Sequence, residues 1–226
     1  MIYVMSDIHG CYDKYKLMMD KIKFTEDDTL YILGDVVDRG PHGMKVLLDI
    51  ADKENVILFK GNHDLQAGIL LSNLSMLDSD KCSKDLVDLY GIWLSDGGES
   101  TLKEYLELSD EERVSVINVI GKAKLSMEIE VAGCRYHLSH TIPEIEKVDD
   151  FASWTEEDFV MGEPDYEKMY FKDKFMITGH SLTCLIDKNY TGRIWRKNNH
   201  IAIDCGAVYG MRLGCLCLDT MKEYYT

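Results

Sequence analysis

Tyr31 to Gly40 reads Y-I-L-G-D-V-V-D-R-G. It opens in a short apolar run, Leu30 to Leu33, which has the look of a buried strand in a parallel sheet. Gly34 ends the run, Asp35 sits where the strand stops, and Asp38, Arg39 and Gly40 occupy the loop beyond. In open α/β sheets chemistry gathers at the carboxyl ends of strands. Two carboxylates and a guanidinium so close together make a poor core but a good place to hold a cation and a phosphate. Taken alone, the segment reads equally well as a polar turn with a helix cap.

The same device recurs along the chain. Upstream, the apolar stretch Met1 to Met5 leads into Ser6-Asp7-Ile8-His9-Gly10. Asp7 and His9 are two apart and point the same way in an extended segment, which suits two ligands on one ion. The plain alternative is a capping Asp and a surface His. Downstream, Asn55 to Phe59 is a third strand, running into Lys60-Gly61-Asn62-His63-Asp64. Helices are expected over Tyr12 to Lys23, with Tyr15, Leu17, Met18 and Ile22 on the apolar side, and from Pro41 to about Ala51, with Val46, Leu47 and Ile50 facing the sheet. Three successive strand-helix units thus each deliver a polar cluster at the far end of the strand.

Leu65 to Leu77 is apolar and helical, and roughly residues 78 to 124 read as a charged helical insertion beside the site. Its charges suit a solvated face. Asp96-Gly97-Gly98-Glu99 breaks it, Ser100 is placed to cap the next helix, and Tyr90 and Trp93 read as core, with substrate contact as the alternative. Leu125 to Val131 and Tyr136 to Ser139 form a hairpin about Gly133, the second strand ending in Ser139-His140-Thr141. Residues 142 to 174 read as irregular. Phe175 to Thr178 is a short strand ending in Gly179-His180-Ser181, and Gly192 to Arg196, His200 to Ile203 and Met211 to Leu218 are β-like, with Cys215 and Cys217 as core thiols. His42 and His137 fit no cluster and read as structural or surface groups.

Composition narrows the function. The formal net charge of -15 argues against a nucleic-acid polymer as partner, because the field of the whole protein repels phosphate backbones. A hydrophobic content of 46% over 226 residues supports a sizeable core and one domain spanning residues 1–226. No basic leader and no membrane-length apolar run is evident. The odd count of 7 Cys at irregular spacing suggests reduced thiols in a cytoplasm.

The groups at strand ends are Asp7, His9, Asp35, Asn62, His140 and His180. Carboxylate, imidazole and amide without thiolate suit borderline divalent ions such as Mn, Fe, Zn, Co or Ni. Six ligands exceed the needs of one four-coordinate ion and fit two, with one carboxylate shared.

In this order, D-x-H-G, G-D-x-V-D-R-G, G-N-H-D and the later H and G-H resemble the calcineurin-like metallophosphoesterases. They resemble most the bacterial phosphoprotein phosphatase branch, which includes phage-lambda-type serine/threonine phosphatases and symmetrical diadenosine tetraphosphate hydrolases. I-A-I-D-C-G-A-V-Y-G (201–210) is similar to the closing strands of that branch. The resemblance implies a four-layer αββα sandwich of two mixed sheets with the site at their shared edge. It implies two divalent metal ions, Mn first among them. Asp7 and His9 would bind one, Asp35 would bridge, and Asn62, His140 and His180 would complete the other. His63 would protonate the leaving oxygen, Asp38 would orient that imidazole, and Arg39 would grip the phosphate. The implied activity is one-step phosphomonoester hydrolysis by a metal-bridging hydroxide. The expected substrate is a phosphoserine/phosphothreonine protein or a small phosphoester, with a dinucleoside polyphosphate as the alternative and an inactive metal-binding scaffold as the alternative outside enzymes. Two departures stand out. Between His140 and His180, where the branch has a second phosphate-gripping Arg, only Lys147, Lys168, Lys172 and Lys174 are basic, leaving these or Arg193 and Arg196 as substitutes. Asp64 stands where Glu is common.

Overall fold

The computed structural model describes residues 1–76, 83–147 and 153–226. The strands are β1 (Ile2–Met5), β2 (Thr29–Ile32), β3 (Val56–Leu58), β4 (Ser126–Val131), β5 (Cys134–Ser139), β6 (Phe175–Thr178), β7 (Trp195–Lys197), β8 (His200–Ala202), β9 (Gly214–Cys217) and β10 (Glu223–Tyr225). They form two five-stranded sheets, ordered β10-β9-β1-β2-β3 and β4-β5-β6-β8-β7. In the first, β1, β2 and β3 run parallel, with β9 and β10 antiparallel at one side. In the second, β5, β6 and β8 run parallel between antiparallel β4 and β7. Both sheets are therefore mixed, each with a parallel centre.

Side-chain alternation assigns the two faces of the first sheet. Tyr3, Met5, Leu30, Ile32, Cys215 and Cys217 pack into one apolar cluster, while Val4, Tyr31, Leu33, Leu216 and Leu218 join another. The first cluster takes in the helices α1 (Tyr12–Ile22), α2 (Gly43–Ala51), α3 (Asn62–Ser72), α4 (Lys84–Trp93), α5 (Glu99–Glu107) and α6 (Asp110–Lys122). The second takes in Tyr136, Leu138, Ile177 and Ile201, so it is the layer between the sheets. A third cluster, Ile142, Trp154, Phe159, Tyr170 and Met176, covers the far side of β6 with the help of α7 (Glu156–Met161). A strand covered on both faces must be apolar at every position, which is why β2 reads as a continuous run rather than an alternation. Each fully buried Leu or Phe contributes roughly 1.5–3 kcal/mol.

The structure adjusts several sequence expectations. On α1, Leu17 is exposed and Met19 is buried in its stead. The α2 helix starts at Gly43, two residues after Pro41. The α3 helix begins at Asn62 rather than Leu65 and stops at Ser72, because Asn62 and His63 are helical residues rather than loop. The end of that helix at Leu77 and the beginning of the insertion at 78 lie outside the described residues. Ser100 lies inside α5, whose N-cap is Gly98; its hydroxyl donates to Gly97 O instead. The stretch read as irregular contains α7, capped by Thr155. The short helix α8 (Thr183–Ile186) and the closing strand β10 carry too little periodicity to be read in advance. Among the described residues no helix is long and apolar enough to cross a membrane.

Candidate metal and phosphate site

Six parallel strands end at one edge shared by the two sheets, and each hands over a polar group. β1 leads to Asp7 and His9, β2 to Asp35, β3 to Asn62 and His63, β5 to His140, β6 to His180 and β8 to Asp204. The loops after the first two strands are zipped together: Asp7 N donates to Gly34 O at 3.0 Å, His9 N to Asp35 O at 2.9 Å and Gly10 N to Val36 O at 2.8 Å. Gly179 N donates to His140 O at 2.9 Å within the second sheet, and the two sheets meet where His180 N donates to Asp7 Oδ2 at 3.1 Å.

Of eleven non-glycine residues at positive φ among the described residues, six belong to this edge: Asp7, His9, Asp35, Asp38, Arg39 and His180. Such a conformation costs of order 1–3 kcal/mol per residue and persists where the surroundings over-determine it, which happens mostly at functional sites. Part of the over-determination comes from close approach. A Cβ on Gly61 would collide with the Asp35 carboxylate, and one on Gly179 with Ser6 and the Asp7 carboxylate. Asp64 supplies more. Its carboxylate accepts N–H groups from Asp35 at 2.8 Å, Val36 at 2.9 Å, Val37 at 3.4 Å and Gly61 at 3.1 Å, tying the start of α3 to the loop after β2.

The donor atoms converge. His140 Nδ1–H donates to Leu33 O at 2.7 Å, which leaves Nε2 as a lone pair aimed inward. That nitrogen lies 3.1 Å from His180 Nδ1 and 3.2 Å from Asn62 Oδ1, and 3.6 Å from Asp35 Oδ2. His180 Nδ1 is 3.1 Å from Asn62 Oδ1. Burial, then the neighbouring His180, hold His140 well below the ordinary imidazole range; burial, then His63 and Arg39, lower His180 to about 4. Both rings are therefore neutral and able to ligate. A buried knot of nitrogen and oxygen lone pairs is costly by itself, and its donor chemistry fits a divalent cation.

Around the second half, His9 Nδ1–H donates to Val37 O at 2.9 Å, leaving Nε2 3.5 Å from Asp35 Oδ2 and 3.0 Å from Arg39 Nη1. Burial, then His63 and Arg39, depress His9 to about 3. The ligand atoms that gather within 4.8 Å of one another are those of Asp35, His140 and His180, and those of His9, Asp35 and His63. Asp35 is common to both sets. Asp7, expected with His9 on one ion, accepts the His180 N–H and the hydroxyl of Ser6. Burial is the first cause raising Asp7 well above the usual carboxylate range, followed by the charges of Asp204 and Asp35; burial likewise raises Asp35 and Asp204 to about 7. Three buried carboxylates in one place are compensated either by protons or by a bound cation, and the lone pairs beside them suit the cation.

His63 stands apart in its electrostatics. Burial alone would depress it, but the hydrogen bond to Asp38 and the charge of Asp35 outweigh that and raise the imidazole above its ordinary value. Nδ1–H donates to Asp38 Oδ2 at 2.7 Å, while the buried Nε2 makes no hydrogen bond and faces Asp96 Oδ2 at 3.6 Å.

The helical insertion is more than a solvated flank. Trp93, expected as core, is core and also donates Nε1–H to Asp38 Oδ2 at 2.8 Å. Thr101 Oγ1 accepts Asp38 N at 2.8 Å, and Gly97 O accepts Arg39 N at 2.9 Å. Arg39, expected to grip the phosphate, pairs with Asp96 at 3.3 Å and lies over the Tyr209 ring at 5.8 Å. Asp96, Thr101, Asp204 and Tyr209 were missed in sequence, although the Asp-Gly-Gly break and the Asp-x-Gly step marked two of them. Lys147, Lys174 and Arg196, weighed as a second phosphate grip, pair with Asp158, Glu128 and Glu223 respectively.

A family model described as calcineurin-like phosphoesterase matches residues 1–184. A symmetrical bis(5'-nucleosyl)-tetraphosphatase from Wigglesworthia glossinidia brevipalpis is 37% identical over 87 residues, covering 37% of this chain and 32% of the relative. One of the same description from Buchnera aphidicola is 42% identical over 67 residues, covering 28% of this chain and 24% of the relative. The matches thus span about a third or less of these relatives' length. A solved structure described as a candidate diadenosine tetraphosphatase superposes with a TM-score of 0.65 at 16% identity, covering 100% of this chain and 92% of that one. A serine/threonine phosphatase from Saccharomyces cerevisiae superposes at 0.57 with 13% identity, covering 100% and 78%, a likeness of fold alone. With the family model matching from β1 through the His180 loop, the chain belongs to the calcineurin-like phosphoesterase family.

Proposed function

We propose that the chain is a dinuclear metal-dependent phosphoesterase whose substrate is a dinucleoside polyphosphate, cleaved symmetrically. The observation that carries the chemistry is the convergence of Asn62, His140 and His180 on one side of the shared Asp35 carboxylate and of His9 on the other. The substrate reading is supported by curated relatives named for that activity, over the part of the chain they match. The serine/threonine phosphatase reading, placed first from sequence, has the likeness of fold as its support and becomes the second choice.

In this reading Asp7, His9, Asp35, Asn62, His140 and His180 would hold two divalent ions, Mn first among them, with Asp7 also fixing the loop of His180 through its backbone N–H. Bound there, the ions supply Lewis acidity to the phosphoryl group and to the attacking water. Arg39 binds a non-bridging phosphoryl oxygen through its planar fork, exchanging one of its present contacts for the substrate. His63, held protonated by Asp38, gives its Nε2 proton to the departing oxygen. Asp38 fixes the ring so that this proton points at the site rather than into the core. The odd number and irregular spacing of the cysteines support placing the protein in a reducing cytoplasm.

The test is a side-by-side turnover screen of diadenosine tetraphosphate, phosphopeptides and mononucleotides with Mn²⁺. Two equivalents of the nucleoside diphosphate from the dinucleotide are expected. Faster turnover of phosphopeptide reverses the order of the two readings, and no turnover with any divalent metal leaves the scaffold reading in place.

A further inference from the structure

Asp96 has no part in the activity described so far, yet it bridges two of the groups assigned to it. Its Oδ1 lies 3.3 Å from Arg39 Nη2 and its Oδ2 3.6 Å from His63 Nε2. It sits in the break between α4 and α5, where Asp96 itself leaves helical geometry and Gly97 takes a φ of 103°. The break is pinned rather than loose. Gly97 O accepts the Arg39 N–H at 2.9 Å, and a Cβ on Gly97 would stand 2.8 Å from that same nitrogen. Asp96 therefore presents a fixed negative charge beside the groups that would receive an oxyanion, with its side chain 54% open to solvent.

The charge carried by the substrate decides what such a carboxylate does. A phosphomonoester is largely a dianion at neutral pH, whereas the phosphorus of a diester or an internal phosphoanhydride carries a single charge. A carboxylate beside Arg39 already offsets part of the attraction, and the remaining repulsion scales with the charge that approaches. We propose that Asp96 is a selectivity residue, disfavouring dianionic phosphomonoesters relative to the singly charged phosphoryl centres of diesters and phosphoanhydrides. This rests on the phosphoesterase reading above and deepens it, since a dinucleoside polyphosphate is attacked at an internal phosphorus.

The experiment compares wild type with Asp96→Asn and Asp96→Glu on an aryl phosphomonoester and a bis-aryl phosphodiester, both with Mn²⁺, at two ionic strengths. Removing the charge is expected to raise the monoester-to-diester ratio of kcat/KM by about twofold to fivefold, mainly through a lower KM for the monoester, the scale of a half-exposed charge pair. The gain shrinks at higher salt, and Asp96→Glu keeps the wild-type ratio. Calorimetric titration with inorganic phosphate gives a readout independent of turnover, and tighter phosphate binding by Asp96→Asn is expected. Equal losses on both esters would show that Asp96 only holds Arg39, and an unchanged ratio with unchanged phosphate affinity also overturns the proposal. If wild type turns over neither ester nor diadenosine tetraphosphate, the phosphoesterase reading fails, and the phosphate titration still decides the role of Asp96.

Discussion

The indole of Trp93 and the imidazole of His63 donate to the same carboxylate oxygen, Asp38 Oδ2, at 2.8 and 2.7 Å. The other oxygen of Asp38 is buried and makes no hydrogen bond, so the position of this carboxylate depends on Oδ2 and on its own backbone. Trp93→Phe keeps most of the ring volume and deletes the N–H. Stability is expected to fall by about 1–2 kcal/mol, as for one lost hydrogen bond to a buried charge. Turnover of a poor-leaving-group ester is expected to drop about tenfold with KM little changed, because Asp38 then holds His63 less firmly. Urea midpoints and steady-state kinetics read both quantities, and a variant with wild-type kcat would remove Trp93 from the site.

The role assigned to His63 predicts a dependence on the leaving group. An alkoxide departs slowly without a proton, whereas an aryl oxide departs readily. General acid catalysis is worth about 10²–10⁴-fold. His63→Asn is expected to lose activity in that range on an alkyl phosphate and clearly less on a nitrophenyl ester. Equal losses on both would mean that the residue serves binding or the metal set instead, a real alternative because His63 lies with His9 and Asp35 in one cluster of ligand atoms.

Asp64 is expected to be structural in its effect and functional in its consequence. It accepts four backbone N–H groups, three of them from Asp35, Val36 and Val37. In Asp64→Asn an amide nitrogen faces one of these donors and leaves it unsatisfied. A loss of roughly 1–3 kcal/mol in chemical denaturation follows, together with a lower metal content after gel filtration, since Asp35 is no longer fixed. Retention of two equivalents of metal with wild-type stability would show that the backbone holds Asp35 without Asp64. The Asp in place of the more common Glu is accommodated because the helix starts at Asn62, close enough for the shorter side chain to reach Gly61 and the loop.

How much of this was legible in sequence varied with the kind of signal. The strands buried on both faces were plain, because β1, β2 and β3 are apolar runs that stop at a glycine or a polar residue. The groups at their ends were legible because chemistry-bearing residues recurred after each strand, and Asp35, Asn62, His140 and His180 do come together. What stayed hidden depends on contacts far apart in the chain. Asp96 opens a visible break in a charged helical stretch, but its place beside Arg39 shows only once Gly97 is found against that residue. Tyr209 becomes notable only because Arg39 lies over it. Trp93 gave a correct reading as core and an incomplete one, since burial and hydrogen bonding to Asp38 are decided by the same packing. Leu17 and Met19 on α1 were exchanged because a helix with several apolar residues leaves its buried arc ambiguous by one position.

A last prediction concerns pH and lies away from the metal cluster. His200 on β8 is fully buried, stacks on Tyr166 at 4.8 Å between ring centroids, and pairs Nε2 with Thr178 Oγ1 at 2.8 Å. Burial lowers it to about 3, from an ordinary value of 6.5. The folded protein therefore keeps this ring neutral, while the unfolded chain takes up a proton below about pH 6.5. Between these values the unfolded state binds more protons, so stability rises with pH across that window and is lost as pH falls from neutrality toward 3. At pH 5 the cost from this one group is about 2 kcal/mol. His137, lowered to about 4 by burial and then by Lys174, acts in the same direction. With metal held saturating, denaturation midpoints from pH 7.5 to 5 are expected to fall for wild type and to fall less steeply for His200→Gln, even if that variant is weaker at pH 7.5. Parallel slopes in the two proteins would mean that His200 titrates alike in the folded and unfolded states, contrary to the environment seen around it.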